Sequence, residues 1–395
     1  MEIKNSIIIG GILAIILISF QVTQGQKKEI QSADSVDERA VQLSFVPMFG
    51  TSRGPQEGLT NKLSLNILGG YEHSLRGAEF GGLFNIDKYD IVGGQFSGLV
   101  NAVGGSARGA QFSGFVNAVK DSVNGAQFAG FTNLASSSVV GFQGAGFVNV
   151  SVKHVKGAQI AGFVNYADSV KGFQGAGFVN VSPKGIEGTQ IAGFSNISKD
   201  VEGTQFSAFF NRARYIKGSQ VGLINVADSL QNGVAFGLIN IIGNGMKQIA
   251  LEHDDVMDLN FAFRSGTNRF YSVLFSGIEA KEKFLWSYGA GFGTQFNLIK
   301  RLNSNIEIST QSLHHRDHFG NKLNLLNRLK WNFGFQFAKH LAISAGPVLN
   351  VYVSNMRNSF TNDYGFDIGQ NKFYDKTFNN YNVQMWVGYN VAIKF

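Results

Sequence analysis

The stretch "GAQFSGFVNAV" at residues 109–119 recurs with small changes along the next hundred residues. Related units begin at residue 125 ("GAQFAGFTNLA"), 141 ("GFQGAGFVNVS"), 157 ("GAQIAGFVNYA"), 172 ("GFQGAGFVNVS") and 188 ("GTQIAGFSNIS"). The shared unit reads G-x-Q-x-x-G-Φ-x-N, where Φ is apolar, and its asparagines recur every 14 to 16 residues from Asn85 to Asn240. A repeat this regular indicates that one supersecondary unit builds most of the fold.

Strand parity divides each unit into two faces, because successive side chains of a β-strand point in opposite directions. In the unit at 109, one face holds Ala110, Phe112, Gly114 and Val116, and the other holds Gln111, Ser113, Phe115 and Asn117. Charged residues such as Lys120, Asp121, Lys153, Lys171 and Lys184 lie in the turns between units. An apolar face alternating with an amide-rich face is typical of a transmembrane β-barrel, with the apolar side chains outward.

The parity predicts an all-β protein, an antiparallel transmembrane β-barrel of about 20 to 22 strands built largely from these 14–16-residue strand-turn repeats. The residues predicted to line its lumen are Gln111, Phe115, Asn117, Gln127, Phe131, Asn133, Gln143, Phe147, Asn149, Gln159, Phe163, Asn165, Gln174, Phe178, Asn180, Arg328 and Lys330. In such a barrel the meander would place Gln111 beside Asn133 and Phe115 beside Ala129.

A second architecture stays open: a repeat β-solenoid followed by an eight-stranded C-terminal barrel. The solenoid would stack the asparagines into a ladder, but it would expose a phenylalanine in every coil. The segment from residue 247 onward contains enough candidate strands for a small barrel of its own.

The N-terminus has the layout of a secretory signal peptide, with Lys4 ahead of an apolar run from Ile7 to Phe20. We assign residues 1–25 to this peptide, 26–40 to a periplasmic segment, 41–242 to the tandem-repeat β region, and 243–395 to C-terminal barrel strands with longer external loops. The chain has no cysteine, which excludes both a lipid-anchored lipoprotein and stabilising disulfides. The expected location is the bacterial outer membrane.

The C-terminal strand "NVQMWVGYNVAIKF" alternates apolar and small or polar residues and ends at Phe395. It resembles the final strand of outer-membrane barrel proteins, which implies outer-membrane lipid and the barrel-assembly machinery as partners. A strand at 323–337 would place Leu329 and Trp331 outward, with Arg328 and Lys330 inward, where charges avoid lipid.

The run of G-x-Q-x-x-G-Φ-x-N units from Gly77 to Asn240 resembles the bacterial surface-repeat proteins, envelope proteins with tandem "GLxN" or "GFxN" units. This resemblance implies a location at the outer membrane or cell surface and brings no biochemical activity with it. The units at 218 ("GSQVGLINV") and 233 ("GVAFGLINI") depart from the pattern.

No catalytic, metal or cofactor site is expected. The net charge of +7 is scattered among turns, which argues against nucleic acid as a partner. The cluster "HHRDHF", with His314, His315, Asp317 and His318, is interpreted as a polar loop tip, and the acidic run "LEHDDVMD" as a solvated turn. No nucleophile-elbow, zinc-protease or phosphate-loop motif occurs, so the chain is not expected to be an enzyme.

Two functional hypotheses follow. The first is an integral outer-membrane β-barrel, porin-like, that offers a passive or gated route for small neutral solutes past its amide and aromatic wall. The alternative is a non-conducting surface protein with a structural or adhesive role. The long segment Ser354–Tyr381 is predicted to be an external loop that either folds into the lumen or binds a partner.

Overall fold

The computed structural model describes residues 37–51, 55, 58–280, 284–315, 322–338, 340–357 and 364–395. These residues form strands, turns and bends and no helix. The chain divides into two compact units, one ending at Lys153 and the other beginning at His154. The predicted signal peptide, residues 1–25, lies outside the described residues.

The strands are short in the repeat region and long near the C-terminus. In the first unit they are β1 Asp37–Val46, β2 Phe49–Gly50, β3 Leu59–Asn66, β4 Gly69–Glu72, β5 Ser74–Gly81, β6 Phe84–Asp87, β7 Ile91–Ser97, β8 Val100–Val103, β9 Ala107–Ser113, β10 Val116–Val119, β11 Val123–Ala129, β12 Thr132–Ala135 and β13 Val139–Ala145, and β14 Val148–Ala161 contains the boundary. The second unit continues with β15 Val164–Ala176, β16 Val179–Ser182, β17 Gly185–Ala192, β18 Ser195–Ser198, β19 Asp200–Ser207, β20 Phe210–Val221, β21 Ile224–Gln231, β22 Ala235–Phe236, β23 Ile239–Ile242, β24 Met246–Asp254, β25 Leu259–Gly266, β26 Tyr271–Glu279, β27 Leu285–Ile299, β28 Leu302–His315, β29 Asn324–Ala338, β30 Leu341–Ser354, β31 Tyr374–Phe378 and β32 Tyr381–Lys394.

In the first unit the repeats form a β-solenoid. Strand β9 pairs in parallel with β11 so that Gln111 lies beside Gln127, and β10 pairs in parallel with β12 so that Asn117 lies beside Asn133. Each coil therefore consists of one strand that carries the glutamine, a corner at the G-Φ dipeptide, and a shorter strand that carries the asparagine. Equivalent residues of neighbouring coils stack directly on one another.

Two glycines of the repeat are required by this close stacking. Gly125 has a φ of 141°, and a Cβ there would collide with the carbonyl oxygen of Gly109 in the neighbouring coil. At the corner, a Cβ on Gly114 would collide with the carbonyl oxygen of Gly98. Only glycine combines this backbone conformation with so close an approach of another backbone.

The second unit begins with coils of the same kind. Their glutamines stack in register from Gln174 to Gln220, and their asparagines from Asn165 to Asn240. The last coil ends with β23, and Met246 of β24 then pairs with Gly266 of β25. From this point the pairing changes from parallel to antiparallel.

Strands β24 to β30 and β32 pair antiparallel in sequence, and β32 also pairs with β24, so this sheet closes on itself into an eight-stranded barrel. Strand β31 pairs with residues 381–385 of β32, a part of that strand that does not pair with β24. The connections are short at the end where the last coil joins, between β25 and β26, β27 and β28, and β29 and β30. We call this the short-turn end, and the opposite one the long-loop end.

The predicted barrel of about 20 to 22 strands is wrong, and the alternative of a solenoid followed by an antiparallel C-terminal sheet is confirmed. The repeats pair in parallel rather than as an antiparallel meander, so Gln111 neighbours Gln127 and not Asn133. Parity misled because it assumed one continuous strand per unit, whereas the close approach at Gly114 forces a corner there.

Candidate functional site

The amides predicted to line a lumen lie instead inside the solenoid coils, where they are almost fully buried. In the first unit they are Gln111, Gln127, Gln143, Asn117, Asn133 and Asn149, and in the second Gln159, Gln174, Asn165 and Asn180. Asn133 shows the bonding: its Nδ2 donates to the Gly144 carbonyl (2.8 Å) and to Asn149 Oδ1 (2.9 Å), and its Oδ1 accepts from Asn117 Nδ2 (2.9 Å). Each amide satisfies its neighbours in a ladder, so these residues build the fold and face no solute.

The phenylalanines predicted for the same face lie outside. Phe115, Phe131 and Phe147 stack on one another with ring centroids 4.8 and 4.9 Å apart, and Phe163 stacks on Phe178 at 4.8 Å. All five rings are between 37% and 49% exposed. The corner at each G-Φ dipeptide turns the ring away from the interior, so the predicted shared wall of amides and rings does not exist.

The interior of the C-terminal barrel is a buried network of ion pairs. Arg328 donates from Nη1 to Asp254 Oδ2 (2.6 Å), and Lys330 donates from Nζ to Glu252 Oε2 (2.7 Å). Arg264 lies between Glu252 and Glu307, bonding to both. Asp255 lies near Arg328, so the network sets three cations against four carboxylates. Strand parity predicted Arg328 and Lys330 as inward residues, but it did not predict the pair of Arg264 with Glu307, which lie 43 residues apart.

A cluster of buried apolar side chains lies at the long-loop end of this barrel. It contains Val256, Met257, Leu285, Leu313, Leu326, Tyr352, Ile368 and Trp386. Ile368 comes from the long connection between β30 and β32, and the backbone N–H of Phe366 in the same segment donates to Tyr352 Oη (3.0 Å). Part of the predicted external loop thus folds into the barrel mouth and helps to fill it.

The outer face of the barrel is strongly apolar. Along β29, Leu329, Trp331 and Phe333 are 45–50% exposed. Along β32 the alternate residues are 44–63% exposed, namely Val387, Tyr389, Val391 and Ile393. Inward and outward residues alternate along both strands. Polar groups inside and large apolar groups outside are the inverse of the pattern of a barrel dissolved in water.

Three carboxyl groups are buried together in the first coils. Glu79 occupies the position of the repeat glutamine, so Gln95 Nε2 donates to Glu79 Oε2 (2.9 Å) and also to Asp87 Oδ2 (2.5 Å). Glu72 accepts hydrogen bonds from Ser64 and Asn61. Burial raises the pKa of Glu72. The pKa of Glu79 is raised mainly by burial and also by repulsion from Asp87 and Glu72. Burial, with repulsion from Glu72, raises the pKa of Asp87 to about 8. The sequence signal was the "GAEFGGLFN" unit, where Glu replaces Gln.

The predicted polar clusters do not form a metal site among the described residues. His314 is buried, bonds to Ser312 Oγ and stacks on Trp286 at 4.4 Å. His315 lies near the Phe366 ring, and Asp317 and His318 lie outside the described residues. The run "LEHDDVMD" is not a solvated turn throughout, because Glu252 and Asp254 belong to the buried ion-pair network.

A cavity of about 530 Å³ lies between the last coil and the short-turn end of the barrel. Its lining includes Asn232, Lys247, Arg269 and Lys394, and it is wide open to solvent. None of the residues predicted as lumen-lining borders it.

No family model, curated protein or solved structure matches the chain. In the described part of the chain no helix is long and apolar enough to cross a membrane. The fold and the chemistry of its surfaces therefore carry the functional argument.

Proposed function

We propose that this protein is a membrane-anchored structural repeat protein, in which the C-terminal barrel is the anchor and the solenoid is the scaffold it holds at the bacterial outer membrane. The observation that carries the proposal is the inverted polarity of the barrel, with Trp331 and Val387 outside and Arg264 and Glu307 inside. Such a barrel is stable where lipid covers its outer face. Outer-membrane lipid is thus the first partner in this proposal.

A scaffold role is favoured over solute passage because side chains fill the interiors of both the barrel and the solenoid in the described part of the chain. An eight-stranded barrel has an interior just wide enough for its own side chains. Here those side chains include the fully buried Arg264, Arg328, Tyr271 and Trp386. The solenoid interior is likewise filled by its amide ladders.

The proposed orientation places the solenoid on the periplasmic side. Outer-membrane barrels have short periplasmic turns and longer external loops. The last coil enters at the short-turn end, where the backbone N–H of Phe395 also bonds to the Ile249 carbonyl. Export by the predicted signal peptide, and insertion by the assembly machinery acting on the strand that ends at Phe395, complete this proposal.

Two measurements on the purified protein test the anchor. We expect a heat-dependent shift in gel migration, because a folded barrel resists detergent until it is boiled, and we expect no stable conductance steps in planar bilayers. Steps that neutral sugars block would contradict the scaffold role and restore the solute route. A chain without any heat-dependent shift, soluble without detergent, would contradict the anchor itself.

Orientation is tested by single-cysteine labelling, which is simple because the chain has no native cysteine. Asn371→Cys lies in an exposed part of the long connection, and Lys184→Cys lies on an exposed turn of the solenoid. A membrane-impermeant maleimide should label position 371 in intact cells and position 184 only after the outer membrane is permeabilised. Labelling of position 184 in intact cells would instead place the solenoid on the cell surface.

A further inference from the structure

The solenoid of the second unit has one apolar edge. The side chains of the Φ position form a column there, Phe163, Phe178, Phe194, Phe209, Leu223 and Leu238, and all are between 36% and 42% exposed. Beside it runs the column that follows the glutamine, in which Ile191, Phe206 and Phe236 are 43–49% exposed. We call these two columns the phenylalanine edge. Stacking between coils covers part of each ring and leaves the rest of the edge open.

Charges are segregated from this edge. In each coil of the second unit, the stretch from the repeat glycine to the asparagine contains no charged residue, and every charge lies between that asparagine and the next glycine. Ion pairs such as Lys171–Glu187 (2.8 Å), Lys217–Glu202 (2.5 Å) and Arg212–Asp228 (3.1 Å) lie in that second part. The coils are therefore amphipathic, as are elements that lie in a membrane interface.

The phenylalanine edge is continuous with the apolar outer face of the barrel. In the last coil the Phe236 ring stacks on Phe270 (4.9 Å) and on Phe292 (5.3 Å), and these two rings stack on each other at 5.3 Å. Phe292 lies on the outer face of β27, on the same side as the exposed Tyr288 and Phe296. Phe236 therefore joins the edge to the surface that we assign to lipid.

We propose that the solenoid of the second unit lies with its phenylalanine edge against the phospholipid leaflet at the short-turn end of the barrel. This inference rests on the proposed function, since it extends the lipid contact of the anchor along the scaffold. A bilayer is the occupant because the edge is uncharged and is joined through Phe236 to the lipid-facing surface. Phenylalanine rings at such a boundary dip into the region between headgroups and acyl chains.

The inference is tested by measuring membrane depth on single-cysteine variants labelled with a nitroxide. The full-length protein is reconstituted into vesicles of phosphatidylethanolamine and phosphatidylglycerol, and collision rates with oxygen and with a water-soluble nickel chelate are compared. Phe194→Cys and Leu223→Cys probe the edge, so that failure of one variant to fold leaves the other. Lys184→Cys probes the charged part of a coil, and Leu329→Cys probes the barrel face.

We expect the ratio of oxygen to nickel collisions to be severalfold higher at positions 194 and 223 than at 184, and to approach the ratio at 329. A lipid-like ratio at 329 with water-like ratios at 194 and 223 would overturn the inference and leave the anchor intact. A water-like ratio at 329 would instead overturn the anchor. Protection from both reagents at 194 and 223, with spin–spin broadening that grows with protein density, would assign the edge to a second copy and also overturn the inference.

Discussion

The buried carboxyl cluster of the first unit predicts a solenoid that loosens as the pH rises. The repeat itself supplies the substitutions that test this. Glu79 lies in register with Gln95, and Asp87 with Val103. The double variant Glu79→Gln/Asp87→Val therefore replaces both acids by residues that the next coil already accommodates, with little change in the packing.

The sign of the effect follows from the raised pKa values. The pKa of Asp87 is about 8 in the folded chain against an ordinary value of 3.8, so the native state holds a proton that the unfolded chain releases. Between about pH 4 and pH 8 the free energy of unfolding should fall as pH rises, by about 1.4 kcal/mol per pH unit for each such carboxyl. From pH 5 to pH 7 one carboxyl then removes about 3 kcal/mol, and Glu79 acts in the same direction.

Hydrogen exchange measured by mass spectrometry on the full-length protein can localise this effect. After correction for intrinsic exchange rates, peptides from β5 to β8 should lose protection between pH 5 and pH 7.5 in the natural chain. In the double variant the loss should be much smaller, because Glu72 is the only carboxyl of the cluster that remains. Peptides from β11 and β12 serve as the internal control, because their coil contains Gln127 and Ala135 at the positions of the two acids. Equal pH dependence in both proteins at β5 to β8 would refute the reasoning.

Three further predictions concern single positions. Asn133→Ala should lower the free energy of unfolding of its coils by about 3 kcal/mol in the same exchange experiment, because its buried partners lose their hydrogen bonds. The control Asn124→Ala, at an exposed position, should change it by less than about 0.5 kcal/mol. Gly125→Ala should abolish exchange protection around it, because the new Cβ meets the neighbouring backbone, whereas Ala126→Ser should not, because serine occurs in the equivalent coil position. Glu252→Gln leaves two buried cations underpaired, so it should destabilise the barrel by about 3–5 kcal/mol and lower the temperature of the gel shift, and an unchanged temperature would contradict the network.

The sequence predicted the chemistry of the repeat better than its geometry. Regular spacing established a repeat fold, and the alternation in the last strands placed Leu329 and Trp331 on the opposite face from Arg328. Parity failed in the repeats because a corner resets it, and nothing in "SGFVN" distinguishes a corner from a continuous strand. The distinction depends on the neighbouring coil, since Gly114 is needed only because another backbone lies against it.

Pairs of residues distant along the chain could not be predicted from the sequence for the same reason. Arg264 meets Glu307 only when the barrel closes and aligns β25 with β28 across the interior. The aromatic stack of Phe236 with Phe270 and Phe292 likewise requires the last coil to meet the barrel. The sequence shows the type of each residue and predicts that it lies on a strand. Its partner is set by closure of the barrel and by strand register, which are long-range properties of the fold.

The hydrogen-bond ladder explains the buried amides, but it does not explain the exposed phenylalanine rings. An asparagine inside a coil is demanded by the ladder, since a buried amide without a partner destabilises the coil. A half-exposed phenylalanine is not demanded in this way: a stacked pair contributes only about 0.5–1.5 kcal/mol, and an aromatic row in water invites aggregation. Yet the second unit keeps an apolar residue at this position from Phe163 to Leu238 and keeps charges away from it. Lipid along that edge covers the rings, which removes the risk of aggregation, and it also accounts for the segregation of the charges. A scaffold free in solution accounts for neither.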